Sequence, residues 1–305
     1  MRLVFMGTPE IAAVCLKRLW EDGREIVGVY TKPDTPQKRG MKLTASAVKT
    51  CALDRGLPVF QPATFKDDQV VEELRALRPD LIAVVAYGKI LPQRVLDIPA
   101  WGCVNIHASL LPLLRGAAPI QRSILNGFAK TGVTAMYMAR ELDAGDIIDR
   151  AETPIGENET SGELTLRLAE LGAELLSKTV DAIENGTAVR TPQDPEQVTF
   201  APMLTKEEAP IDWARPAGEI HRQVCGLNPW PVAETELGGS RLKIYQTLVL
   251  DETTDKAPGT PLSINKKGLD MACGQGTVLR ITRLQAQGGK QMPAADYFRG
   301  HPLEL

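Results

Sequence analysis

Pro79-Asp80-Leu81-Ile82-Ala83-Val84-Val85-Ala86-Tyr87-Gly88 carries an unbroken apolar run from Leu81 to Ala86. A short run with no polar alternation, bounded by proline and glycine, reads as a strand buried on both faces, as in the middle of a parallel sheet. Working outward, residues 2–6 read as a buried strand ending at Gly7-Thr8-Pro9, and 25–31 as a second. Residues 102–106 read as a third short strand, with further strands at 132–138 and 147–155. Helical spacing fills the gaps at 10–20, 44–55, 67–77 and 118–126, with Pro9 suited to a first turn. A long amphipathic helix over 160–185 closes this part. Alternating strands and helices predict a doubly wound, mostly parallel α/β sheet with right-handed crossovers. Ligands of such sheets bind beyond the carboxyl ends of the strands.

The helical pattern stops near Gly186, and Thr191-Pro192-Gln193-Asp194-Pro195 follows, with Pro202 and Pro210 beyond. This predicts an extended linker over 190–205 between a catalytic domain, 1–189, and a second domain, 206–305. After a helix at 217–225, β-rich pieces at 241–249, 268–272 and 277–284 are separated by Gly and Pro. They predict a small β-barrel. The 305 residues are enough for two cores, and 43% hydrophobic content excludes wholesale disorder. A net charge of −3 gives no global case for nucleic acid. The five cysteines are scattered without a CxxC and read as reduced thiols in a cytoplasmic protein. Three histidines support no zinc site, so no metal is expected. The opening apolar run is too short for a signal peptide or membrane span, and no membrane partner is expected.

The chemistry concentrates in Gly102-Cys103-Val104-Asn105-Ile106-His107-Ala108-Ser109-Leu110-Leu111-Pro112 and in Leu142-Asp143-Ala144-Gly145-Asp146. Residues two apart on a strand share a face, so Asn105 and His107 point into one pocket. A neutral donor, an imidazole and a carboxylate that orients the ring suit acyl transfer. No serine or cysteine nucleophile accompanies them, so the nucleophile belongs to a substrate. Each residue also has a plainer reading: a turn-forming Asn, a core His, and an Asp pair shaping a turn around Gly145. Gly7-Thr8-Pro9-Glu10 lacks the GxGxxG pattern and reads equally as a tight turn or a ligand contact.

These residues are recognisable together. Met6-Gly7-Thr8-Pro9-Glu10, the run from Asn105 to Pro112, Arg115-Gly116-Ala117-Ala118-Pro119-Ile120-Gln121 and Leu142 to Asp146 closely resemble the methionyl-tRNA formyltransferase family. So do Asn228-Pro229-Trp230-Pro231 and residues 292–300. The resemblance covers nearly the whole chain and implies a Rossmann-like formyltransferase fold followed by an OB-like domain. It implies that Asn105, His107 and Asp143 are the catalytic trio, leaving Asp146 structural. It implies 10-formyltetrahydrofolate as co-substrate, bordered by Ser109, Leu110, Leu111 and Pro112, with Val85 and Tyr87 beside it. The acceptor implied is initiator methionyl-tRNA, and the enzyme is expected to act as a monomer. The basic, Pro/Gly-broken segment Lys32 to Lys42 matches the family's loop that meets the tRNA acceptor stem. Lys38, Arg39 and Lys42 are its candidate contacts, Arg39 foremost.

From Lys206 onward the basic and acidic residues balance. Yet Lys266, Lys267, Arg280, Arg283 and Lys290 face only Asp270 over their span, which predicts a one-sided basic face for RNA. Lys266, Lys267 and Lys290 are the expected contacts there. The sequence departs from the family pattern at Leu113-Leu114, Cys225-Gly226 and Gly289, where basic or aromatic residues are usual. These departures leave the trio intact and alter the tRNA-facing charge. The competing readings are a formyltransferase for a ribonucleotide or amino sugar, a deformylating hydrolase, and an RNA-binding module with an inert α/β domain. The β-rich second domain weighs against the first, the lack of a preceding regulatory domain against the second, and the intact trio against the third.

Overall fold

The computed structural model describes residues 1–37 and 42–303. In chain order the first elements are β1 (Arg2–Gly7), α1 (Glu10–Glu21), β2 (Glu25–Tyr30), β3 (Thr35–Gln37), β4 (Lys42–Thr44), α2 (Ala47–Leu53), β5 (Val59–Phe60), α3 (Asp68–Ala76) and β6 (Leu81–Val85). There follow α4 (Gln93–Leu96), β7 (Cys103–His107), β8 (Arg115–Gly116), α5 (Pro119–Leu125), β9 (Lys130–Tyr137), β10 (Ile147–Pro154), α6 (Ser161–Glu184) and β11 (Phe200–Ala201). The last are α7 (Ala217–Gly226), β12 (Ala233–Leu237), β13 (Ser240–Thr253), β14 (Pro261–Asn265), β15 (Gly268–Ala272), β16 (Thr277–Ala286), β17 (Met292–Pro293) and α8 (Ala294–Gly300). By contact the chain makes two compact units. One is Met1–Gly116, Thr131–Thr153 and Thr165–Ala201; the other is Ala117–Lys130, Pro154–Leu164 and Pro202–Leu305. Among the described residues no helix is long and apolar enough to cross a membrane.

The first unit is a seven-stranded sheet in the order β10-β9-β7-β6-β1-β2-β5. Strands β1, β2, β5, β6 and β7 run parallel, and β9 is antiparallel to β7. Every residue of β6 is buried, as its unbroken apolar run requires. The chain winds outward from β1 to β5, then returns to the other side of β1 as β6. That reversal places the switch point, where such sheets bind ligands, at the carboxyl ends of β1 and β6. Gly7 is needed there for close approach: an added Cβ would stand 2.6 Å from Ala12 Cβ and 2.9 Å from the Val85 carbonyl. Pro9 is the N-cap of α1 rather than a residue of its first turn.

Two local readings are corrected. The helix expected from residue 44 begins at Ala47, because the Ser46 side chain caps it by accepting the Lys49 N–H; Thr44 pairs with Thr35 across the β3–β4 hairpin instead. The stretch read as a linker is anchored and is broken by a 3-10 turn at Pro195–Gln197. Thr191 exchanges backbone hydrogen bonds with Ile147, and β11 pairs in parallel with β8. The Leu114 and Arg115 N–H groups both donate to Thr199.

The second unit is built on an antiparallel sheet in the order β12-β13-β16-β15-β14, with β17 on β16. Its core joins Val224 of α7 and Tyr297 and Phe298 of α8 to Leu242, Ile244, Leu269, Met271, Ile281 and Leu284. Helix α7 also packs on α5, where Gly226 lies too close to Leu125 to admit a Cβ without repacking. Arg122 of α5 grips Glu208 with both guanidinium nitrogens, at 2.6 and 3.0 Å. His221 is a core residue, with Nδ1 on Thr247 Oγ1 and Nε2 on the Glu157 carbonyl.

Candidate active site

Strand β7 is held from both sides. Asn105 lies opposite Val84 of β6 and Met136 of β9, and His107 opposite Thr134. The strand period therefore puts both side chains on one face, at the carboxyl end of the parallel strands. Asn105 is half-buried, and among the described residues its amide has no hydrogen-bond partner. His107 is buried, and its two ring nitrogens meet different groups. Nε2 lies 2.9 Å from the Leu114 carbonyl, which can only accept, so Nε2 carries a proton. Nδ1 faces the Asp143 carboxylate, 3.6 Å from Oδ2. That Oδ2 also accepts the Gly116 N–H at 2.9 Å.

The loops that make this arrangement are tightly specified. Leu114 and Asp143 both adopt left-handed backbone conformations, at φ 60° and 53°, which for such residues survives only where the surroundings impose it. Gly145 admits no side chain, since a Cβ there would collide with the Tyr137 carbonyl. Asp146 serves the turn through its carbonyl, which accepts the Tyr137 N–H at 2.9 Å. The Leu142 to Asp146 turn is then fastened by Gln193. Its Nε2 donates to the carbonyls of Asp143 and Gly145 at 2.8 and 2.9 Å. Its Oε1 accepts from Nε and Nη2 of Arg115 at 3.0 and 2.8 Å. Sequence reasoning missed Gln193, because a Gln between two prolines carries no signal that its partners lie some fifty and eighty positions away.

The residues expected at the folate fall in two groups. Val85 ends β6, one residue past the Val84 that pairs with Asn105, and is buried. The Tyr87 side chain is buried in the core among Tyr30, Phe65 and Leu91, and its carbonyl accepts the Thr8 hydroxyl at 3.0 Å. Its backbone is therefore what Tyr87 presents to the switch point. Ser109 to Pro112 form a braced turn. Ser109 Oγ donates to the Leu113 carbonyl at 2.6 Å. Thr134 Oγ1 donates to the Ser109 carbonyl and accepts the Leu111 N–H. Leu111 is buried against Met136 and Ile147, Pro112 is buried, and Leu110 is half-buried above Gly132.

No side chain here is an activated nucleophile. Ser109 spends its hydroxyl proton on Leu113. Burial, with a smaller contribution from Asp97, pushes the Cys103 thiol up to about 12. The arrangement can instead hydrogen-bond a developing oxyanion through Asn105 and move a proton through His107, with Asp143 steadying the ring. Among the described residues no cluster of three or more His, Cys, Asp or Glu could hold a metal.

Of the residues expected at RNA, Lys38 and Arg39 lie outside the described residues, and Lys42 contributes the first residue of β4. Lys266 and Lys267 are exposed in the β14–β15 turn, and Lys290 in the β16–β17 turn. Arg280 is not part of an open basic face. It is nearly buried and bonds Asp270 with Nε and Nη2 at 2.6 and 2.8 Å, because the β15–β16 register sets the two residues opposite each other. A cleft that sequence reasoning missed lies elsewhere in the second unit. It has a volume near 520 Å³ and is lined by Lys206, Trp230, Glu234, Arg241, Lys243 and Gln285 among others. Arg241 is paired with Glu234, whereas Lys206 and Lys243 have no ion pair among the described residues.

Residues 1–180 match the formyl transferase family and residues 203–302 match the formyl transferase C-terminal domain, which makes the chain a one-carbon transferase. The methionyl-tRNA formyltransferase of Xanthomonas campestris pv. campestris (strain 8004) is 50% identical over 299 residues, 98% of this chain and 97% of that one. That of Bacillus subtilis (strain 168) is 46% identical over 303 residues, 99% and 96% of the two chains. The chain belongs to the methionyl-tRNA formyltransferase family. Among solved structures, the sugar 3N-formyl transferase WlaRD, with dTDP and 5-N-formyl-THF, shares the fold at TM-score 0.68 and 18% identity, covering 92% of this chain and 97% of that one. HypX from Aquifex aeolicus in complex with tetrahydrofolic acid shares it at TM-score 0.64 and 18% identity, covering 98% and 47%.

Proposed function

We propose that this enzyme transfers the formyl group of 10-formyltetrahydrofolate to the free amine of methionine esterified to initiator tRNA, in the cytoplasm, for translation initiation. The observation that carries the reading is the Asn105–His107–Asp143 arrangement without a protein nucleophile, at the switch point of a formyltransferase sheet. The donor supplies an electrophilic formyl carbon, and the attacking amine comes from the aminoacyl end. Asn105, whose amide has no partner among the described residues, donates to the formyl oxygen as charge gathers there. His107 carries the proton released by the amine toward the departing folate nitrogen, so that one C–N bond forms as another breaks. Nε2 of His107 is held by the Leu114 carbonyl, so action on substrate through Nε2 displaces that carbonyl. Asp143 then holds the charged ring through Nδ1.

The second unit supports tRNA as the acceptor. Trp230 is 50% exposed at its cleft, beside Lys206 and Lys243, which have no ion pair among the described residues. An aromatic face flanked by free cations suits a nucleotide base and its phosphates. Lys266, Lys267 and Lys290 add charge at the turns around the end of β16. On this reading the residues before the linker hold the chemistry and those after Lys206 mainly bind RNA. The test is to incubate the purified protein with 10-formyltetrahydrofolate and charged initiator tRNA and to follow formyl incorporation. Formylation of an amino sugar nucleotide in its place, with none on the tRNA, overturns the reading.

A further inference from the structure

Two lysines stand together at the carboxyl edge of the first sheet, and among the described residues neither has a carboxylate partner. Lys32 follows β2, and its ammonium lies over Gly88, whose Cβ-less left-handed conformation, at φ 71°, leaves it room. Lys89 is half-buried just past β6. Its ammonium donates to the carbonyls of Pro62 and of Ala63, the latter at 2.7 Å. The Gln61 amide donates to the Lys32 carbonyl at 2.8 Å, so residues 61–63 hold both lysines in place. The nearest acid in sequence, Asp34, is already taken: it accepts from Lys49 at 2.6 Å and from Gln61 at 2.8 Å. Among the described residues Lys32 has no ion pair. Burial, with the neighbouring Lys32 ammonium second, lowers the pKa of Lys89, as expected of like charges without a counterion. Beside them Ile90 is 88% exposed.

We infer that Lys32 and Lys89 bind the carboxylates of the glutamate tail of the folate donor. This rests on the donor proposed above. A folate carries an aromatic ring followed by a glutamate, and each further γ-linked glutamate adds a carboxylate. The lysines flank the exit from β6, the strand that neighbours Asn105. A donor whose formyl group sits at Asn105 runs its tail outward past this exit, with Ile90 as an apolar rest for the ring and two ammoniums beyond. Chains of several glutamates should benefit more than a single one.

The experiment compares KM for 10-formyltetrahydrofolate carrying one and five glutamates, in the wild-type enzyme and in Lys32→Gln and Lys32→Arg. Lys32 is chosen because Lys89 also braces the 62–63 backbone. The expected result is a lower KM for the five-glutamate donor in the wild type. Lys32→Gln should lose about fivefold of that advantage, the most a partly exposed ion pair usually contributes, and Lys32→Arg should recover most of it. An unchanged ratio of the two KM values in Lys32→Gln overturns the proposal. A rise confined to the KM for charged tRNA overturns it too, and assigns the pair to RNA. If the wild type formylates nothing, the reaction itself is misread. Equilibrium binding of tetrahydropteroyl mono- and pentaglutamate to the same proteins then decides the tail site by the same ratio.

Discussion

Replacing Gln193 by alanine should disable the catalytic loop while sparing substrate binding. The side chain makes two bonds to the carbonyls of Asp143 and Gly145 and two to the Arg115 guanidinium. A neutral hydrogen bond contributes about 1 kcal/mol net, so the two to the Asp143 turn amount to about 2 kcal/mol. The Arg115 bonds add less than their usual share, because Arg115 keeps Glu141 at 3.6 Å. Expressed as loop position, 2 kcal/mol is roughly a thirtyfold shift away from the arrangement that holds Asp143 beside His107. Displacement by an ångström is enough to cost a large factor in rate. The expected result for Gln193→Ala is therefore a fall in kcat of about ten- to thirtyfold, read by single-turnover formyl transfer. KM for folate and for tRNA should move little. The melting temperature should fall by only about 4–8 °C if the whole loss is global, and by less if it is local. A kcat within twofold of wild type would refute the argument that Gln193 places Asp143.

His107→Ala and Asn105→Ala should each lower turnover about 10²–10³-fold, the usual loss for an oxyanion donor or proton carrier, with unchanged circular dichroism; near-normal kcat in either removes that residue from the mechanism. Gly145→Ala should abolish activity and destabilise the protein by about 1–3 kcal/mol in urea, because the added methyl collides with the Tyr137 carbonyl; a stable, active variant would show that the turn can relax. Lys206→Ala and Lys243→Ala should each weaken tRNA binding and flatten its log–log salt dependence by about one unit if they contact phosphates; unchanged slopes would take the Trp230 cleft out of RNA recognition. Burial, and to a lesser degree Glu170, pushes the Cys15 thiol up to about 12 from 9.0. The unfolded thiol thus ionises first, and the contribution present below pH 9 is lost as pH rises toward 12, by about 1.4 kcal/mol per unit. The urea midpoint should fall between pH 9 and 11, less steeply in Cys15→Ala, and an identical slope in that variant would count against it.

The parts of the fold legible in the sequence are those in which burial writes itself into composition. Leu81–Val85 is apolar throughout because both faces of β6 are covered, and the two-residue period of β7 was enough to pair Asn105 with His107. Short or distant pairings leave no such trace. The three-residue strands β3 and β4 are too brief for a period, so Thr44 read as helix. The two residues of β11 pair with β8 from far along the chain, and the prolines around them read as spacer. The hold of the Leu114 carbonyl on His107 is a backbone contact that no side-chain pattern encodes. Arg280 looked available because charge counting ignores register, which sets it against Asp270. The family resemblance sets Tyr87 beside the folate but does not say which part of it faces there; its side chain lies in the core, and its carbonyl meets Thr8.

The partition of the chain has a consequence for any attempt to take the molecule apart. Between the two units the backbone passes after Gly116, Lys130, Thr153, Leu164 and Ala201, five times in all. A protease that nicks the most inviting site, the proline-rich stretch before Lys206, cuts one of these and leaves four peptide connections. The products should separate on a denaturing gel yet elute as one species in native buffer. By the same reasoning a gene split at that stretch would yield an amino-terminal piece still carrying α5 and the start of α6, with their α7-side partners missing. The order of segments along the chain thus alternates between the two units, and no single break in the backbone frees either of them.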